Sequence, residues 1–177
     1  MRKKLTNFIF IFFSFIMYGQ SNSKLKHTKI DNILESLAFY SEVADTKIDS
    51  INVQNNLKIN FHKKFDEIDS LLQSGIEPFY PKELIPQFKE YYFEYRNGNK
   101  EKAVLGLQEL MNKGFAPATL VYSNSIKDEN EKMKILKLGI SQCCDACTIQ
   151  LLKNQYDDGK QENIDLPSKC YNTQNSN

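Results

Sequence analysis

The sequence predicts an all-α protein. Apolar residues recur at three- and four-residue steps along most of the chain. No segment sustains the period-two alternation of a half-buried strand. Glycines and prolines stand at the ends of the apolar stripes, at Gly75, Pro86, Gly98, Gly114 and Pro117, where helices stop and start.

The N-terminus reads as a cleavable signal peptide over residues 1–19. Arg2, Lys3 and Lys4 form a positive start, Phe8 to Tyr18 form an apolar run of 11 residues, and Gly19 to Ser23 are small or polar. A membrane-spanning helix needs about 20 apolar residues, so this run is too short to serve as an anchor. The expected cut follows Gly19, with Ser21 as the alternative. Removing residues 1–19 takes away three basic side chains and no acid, which leaves 20 basic against 22 acidic ones. That balance argues against nucleic acid as a partner and against stable attachment to an anionic membrane. The expected location is periplasmic or secreted.

Residues 20–28 are a polar lead-in. An N-terminal helical hairpin is expected over 29–75. Its first stripe is Ile30, Ile33, Leu34, Leu37, Ser41, Ala44 and Ile48, its connection is Ser50 to Asn56, and its second stripe is Leu57, Phe61, Phe65, Ile68 and Leu72, closed at Gly75. Residues 76–85 form a linker with Pro78 and Pro81. Pro86 then opens a helix at its first turn, where a missing N–H costs nothing. That helix carries Phe88, Tyr91, Tyr92 and Tyr95 and ends at Asn97-Gly98. Asn99 is placed to cap the next helix, which carries Val104, Leu107, Leu110 and Met111 and ends at Gly114. Pro117 opens a helix with Leu120 and Val121. Asp128 and Glu131 suggest a capping box for one with Met133, Leu136 and Ile140. Asp145 is placed to cap a last helix carrying Ile149, Leu152 and Tyr156, and residues 160–177 are a polar tail.

A shift of 29 residues lays the second half of the chain over itself. Val104, Leu107 and Met111 fall on Met133, Leu136 and Ile140, and Ala116 to Leu120 fall on Asp145 to Ile149. Gly114-Phe115-Ala116-Pro117-Ala118-Thr119-Leu120-Val121-Tyr122 follows a glycine, small-x-small, apolar, tyrosine order. Cys144-Asp145-Ala146-Cys147 with Leu151, Tyr156 and Gly159 is a degenerate second copy. In these residues the segment 86–159 resembles the tetratricopeptide superfamily, and its Sel1-like branch in particular. The period is shorter than the usual length of about 34 residues. The resemblance implies an α-solenoid-like scaffold of antiparallel hairpins that binds a protein or peptide, not a catalyst.

Four cysteines, Cys143, Cys144, Cys147 and Cys170, survive the expected cleavage. In an oxidising compartment they are disulfide candidates, and three full pairings are open. Cys144 and Cys147 form a C-x-x-C pair at a helix start, where the dipole would favour a thiolate, so thiol–disulfide exchange is the alternative function. No βαβ setting accompanies the pair. Adjacent Cys143 and Cys144 make an awkward zinc set, so no metal is expected. His27 and His62 lack partner motifs and are read as solvated. No phosphate loop or nucleophile elbow appears, so no catalytic residue and no cofactor is expected. Tyr91, Tyr92 and Tyr95, with Tyr122, are the expected partner-binding residues, because consecutive aromatics cannot all enter one core. The expected function is therefore non-enzymatic partner binding, with a secreted immunity or inhibitor protein as a further alternative.

Overall fold

The computed structural model describes residues 25–43, 51–157, 164 and 166–171. The expected signal segment, both expected cleavage positions, Ala44, Ile48 and Gly159 lie outside them. Contacts divide the chain into two units, one of them residues 27–170; the described residues of the other are Leu25, Lys26 and Tyr171. In the second of these, Leu25 and Tyr171 form an isolated antiparallel bridge.

Among the described residues the larger unit is all-helical, with seven α-helices. They are α1 (Lys29–Val43), α2 (Ile51–Gln73), α3 (Ile85–Arg96), α4 (Lys100–Asn112), α5 (Ala116–Ser123), α6 (Glu129–Ser141) and α7 (Asp145–Asp157). Each of α3 to α6 packs on its successor. Helix α1 lies across the alternate members of that series. It packs along α5 and α7, and it meets α3 where Tyr92 Oη donates to the Leu37 carbonyl at 3.0 Å. The core runs between them through Ile30, Leu34, Leu37, Phe65, Phe88, Tyr92, Leu107, Phe115, Leu120 and Leu136, all fully or nearly fully buried. Its centre is aromatic. Phe88 packs on Phe115 at 5.3 Å between ring centroids, and Phe65 packs on Tyr92 at 5.8 Å. Tilted and edge-on pairs of this kind add to area burial because each ring sets a positive edge against a negative face.

Most expected boundaries appear where the turn chemistry places them. Gly75, Gly98 and Gly114 take φ of 85°, 93° and 83°, the left-handed conformation that ends a helix. Pro86 and Pro117 fall in the first turns of α3 and α5. Asp128 caps α6, accepting from the Glu131 amide at 2.8 Å.

Four local expectations are corrected. Residues 51–56 are helical, the start of α2 instead of a connection. A helix nucleated at the Phe61/Phe65 stripe extends through polar residues at little cost per residue, because propagation is far easier than initiation. Asn99 does occupy the N-cap of α4, but its amide donates to Glu94 Oε2 at 2.6 Å and does not cap. Asp145 lies inside the first turn of α7. The cap is Cys144, whose sulfur takes the Cys147 amide at 3.0 Å. Along α7 the buried residues are Ala146, Cys147, Thr148, Gln150, Leu151 and Gln155, while Tyr156 is 69% exposed. That helix is covered by both α6 and α1, so its buried side is wider than a single apolar stripe and includes polar residues.

Two glycines mark close helix approaches. A Cβ on Gly139 of α6 would stand 2.4 Å from Cys147 Sγ and 3.3 Å from Thr119 Cγ2, and one on Gly106 of α4 would stand 2.4 Å from the Tyr91 ring. The two obstacles differ. Tyr91 is a half-buried side chain free to swing, whereas Cys147 is tied by a disulfide. Gly139→Ala is therefore expected to cost about 2 kcal/mol by overpacking. Gly106→Ala should stay within about 0.5 kcal/mol, because helix propensity offsets a movable clash. Urea unfolding of both variants checks the contrast, and equal losses would contradict it.

Candidate functional site

All four cysteines meet at one corner, between the end of α6 and the start of α7. Cys143 pairs with Cys170, and Cys144 with Cys147. All four residues are buried. The C-x-x-C pair is thus a disulfide across the first turn of α7. Cys170 arrives on a short 3-10 turn, Ser168–Cys170, with Ile164 and Leu166 half-buried against the core.

Beneath this corner lies a polar cluster that the sequence reading did not find. Glu35 of α1 is buried, and its Oε2 accepts the Ala146 amide of α7 at 2.8 Å. Its Oε1 meets the Tyr80 hydroxyl in a short hydrogen bond. The same hydroxyl reaches the Cys143 carbonyl at 3.1 Å and His27 Nε2 at 3.3 Å. His27 Nδ1 stands 3.3 Å from Glu35 Oε1 without hydrogen-bond geometry. One turn back on α1, Asp31 accepts four hydrogen bonds. Its Oδ2 takes the Thr28 amide and hydroxyl, each at 2.7 Å, and the Phe79 amide at 2.9 Å. Its Oδ1 takes the Tyr80 amide at 3.1 Å. Asp31 thereby makes the backward half of a capping box, taking the Thr28 amide, and also holds in place the segment that delivers Tyr80.

Burial governs the electrostatics of this cluster. It pushes the Glu35 carboxyl up to about 8, against the pull of the Tyr80 and Ala146 hydrogen bonds, with Asp145 and Asp31 adding to the rise. Burial also raises the Tyr80 phenol, and Glu35 adds to that rise. His27 is lowered by burial, opposed by Asp31 and Asp145. Asp145 is raised by burial, opposed by His27. His27, expected to be solvated, is therefore corrected: its imidazole is 2% exposed and lies among Phe79, Tyr80 and Glu35. His62 is exposed and stacks on Phe93 at 4.3 Å.

The expected partner-binding tyrosines are not brought together on one surface. Tyr92 and Tyr95 are core residues, Tyr122 is 8% exposed, and Tyr91 lies half-buried over Gly106. Lys100 Nζ stands 5.1 Å from the Tyr95 ring centre. Tyr92 is buried because α1 and α2 give it a surface to enter, at the Leu37 carbonyl and the Phe61 and Phe65 rings. The large apolar side chains that remain exposed are Tyr40, Phe79, Leu105, Leu138 and Tyr156 among the described residues. No group of histidine, cysteine or acidic residues among those described is arranged to hold a metal ion.

Comparison with known proteins finds no matching family model, no matching curated sequence and no matching solved structure.

Proposed function

We propose that this chain is an exported, non-enzymatic helical-repeat protein that presents an α-solenoid-like surface to a protein or peptide partner. The observation that carries this reading is the exposure of Leu105 and Leu138, 65% and 39%, on α4 and α6, the second helices of consecutive hairpins. Contiguous exposed apolar area marks a contact surface, and this reading takes Leu105 and Leu138 as two points on one such area. Helix starts at residues 85, 116 and 145, and at 100 and 129, support a repeat of tetratricopeptide or Sel1-like type. Because α1 covers α3, α5 and α7, this reading puts the contact on the outer helices instead of the Tyr91–Tyr95 segment. Pairing of all four cysteines favours an oxidising compartment and so supports export. Burial of Cys144 and Cys147 favours a structural bridge over thiol–disulfide exchange, which needs an accessible sulfur.

Photo-crosslinking from Leu105 in the native envelope fraction tests the reading. One dominant crosslinked protein is expected. The double variant Leu105→Glu, Leu138→Glu should weaken its capture at least tenfold with an unchanged melting temperature. Capture that survives the double variant would overturn the proposed surface.

A further inference from the structure

A buried carboxyl group needs either a cation or a proton. No lysine or arginine is among the groups that act on the Glu35 carboxyl. On its own helix Asp31 lies one turn away. The segment ahead of α1 brings His27, the turn ahead of α3 brings Tyr80, and α7 brings Asp145, with Lys153 two turns further along. Helix α5 carries no charged side chain, and Tyr122 is its one titratable group. From α2, the charged or titratable side chains from His62 to Asp69 are exposed or half-exposed, and there Glu67 pairs with Lys29 at 2.8 Å.

The hydrogen count points the same way. Tyr80 owns one hydroxyl hydrogen but touches Glu35 Oε1, the Cys143 carbonyl and His27 Nε2. With a proton on Glu35 the chain closes. The Ala146 amide donates to Oε2, Oε1–H donates to the Tyr80 oxygen, and the Tyr80 hydrogen goes to the Cys143 carbonyl. An ionised Glu35 would draw the Tyr80 hydrogen to itself and open the link to Cys143, with Asp31 and Asp145 as like charges nearby.

We propose that one proton on Glu35 latches α1 to the corner at residues 143–146, and that losing it loosens α1. The device goes beyond the proposed partner binding and does not depend on it. Its direction with pH follows from linkage. The closed state keeps the Glu35 proton up to about pH 8, whereas an opened, solvated carboxyl releases it near 4.5. Opening therefore becomes about tenfold more favourable per pH unit across that interval. His27 acts in the opposite sense below 6.5, where the opened state takes up a proton that the closed state resists. Asp145, raised by burial against the opposing His27, has the sign of Glu35. Between 6.5 and 8 the lowered His27 stays largely neutral in both states, and the Glu35 carboxyl resonance reads that group by itself.

The test is hydrogen exchange of the Ala146 and α1 amides in the oxidised full chain from pH 6.5 to 8, with carbon-13 detection of the Glu35 carboxyl. Protection factors should fall about tenfold per pH unit, and the carboxyl resonance should titrate with a midpoint near 8. In Glu35→Gln the amide reproduces the donor and acceptor pattern of the neutral acid, so protection should be independent of pH. Flat protection in the parent chain, an unchanged slope in Glu35→Gln, or a carboxyl resonance already at its ionised position at pH 6.5 would each overturn the latch. The carboxyl titration decides the matter even where the variant fails to fold.

Discussion

Asp31→Ala is expected to cost about 4 kcal/mol of folding stability. Asp31 is fully buried and accepts four hydrogen bonds, two of them from the Phe79 and Tyr80 amides, 48 and 49 residues away. Alanine leaves those amides without their acceptor, and each orphaned buried donor costs about 1–3 kcal/mol. It also removes half of the capping box at Thr28, at about 1 kcal/mol. Asp31→Asn with its oxygen at the Oδ2 position keeps three of the four bonds and faces its NH2 only to the Tyr80 amide, so a smaller loss is expected. Urea unfolding with both disulfides intact measures it. A loss below about 1 kcal/mol in both variants would mean that water replaces the carboxylate and that the Phe79–Tyr80 segment is not held from α1.

The second large effect belongs to Cys143–Cys170. Its loop spans 27 residues, and the loop-closure relation assigns such a bridge about 3.5 kcal/mol. Cys143→Ser with Cys170→Ser should lose about that much. Cys144–Cys147 spans only 3 residues and should contribute about half as much by the same relation. A finer expectation concerns the backbone. Helices α2, α3, α4 and α6 end in the same reverse turn, with paired bonds such as Phe115 N–H to the Leu110 carbonyl and Cys144 N–H to the Gly139 carbonyl, both at 3.0 Å. In three of the four the left-handed residue is glycine. In the fourth it is Cys143, with φ of 70°. A side chain there costs roughly 1–2 kcal/mol, and the cysteine is held by its bridge and by Tyr80. Cys143→Gly with Cys170→Ser should thus lose about 1 kcal/mol less than the serine pair. Equal losses would show that the corner is unstrained.

What could be read in advance was local. The apolar stripes of Ile30 to Leu37 and of Phe61 to Ile68, the glycine stops and the proline starts depend on residues within a turn or two of each other, and the helices follow them. What escaped was set by distant contacts. Glu35 meets Ala146 across 111 residues of chain, and no spacing rule joins those positions. A signal did exist. Asp31 and Glu35 stand four apart beside Ile30, Ile33 and Leu34, so two acids border the buried stripe, and Thr28 precedes Asp31 at the interval of a capping box. The tyrosines escaped for the converse reason. Whether Tyr92 and Tyr95 face water depends on what covers α3, and the Leu37 carbonyl of α1 answers the Tyr92 hydroxyl.

The placement of α1 across α3, α5 and α7 also sets an order of events in synthesis. Ile30, Ile33, Leu34 and Leu37 leave the ribosome early, but the surface that covers them is complete only when α7 is made, more than a hundred residues later. The last contact of the first helix, Glu35 with Ala146, must wait for nearly the whole chain. For a helical protein this is a long-range closure, and such contacts slow folding because the chain entropy is lost before the contact forms. Among the described helices the first made is thus the one whose covering surface is completed last, and its apolar stripe stays open to chaperones, or to a second nascent copy, until then.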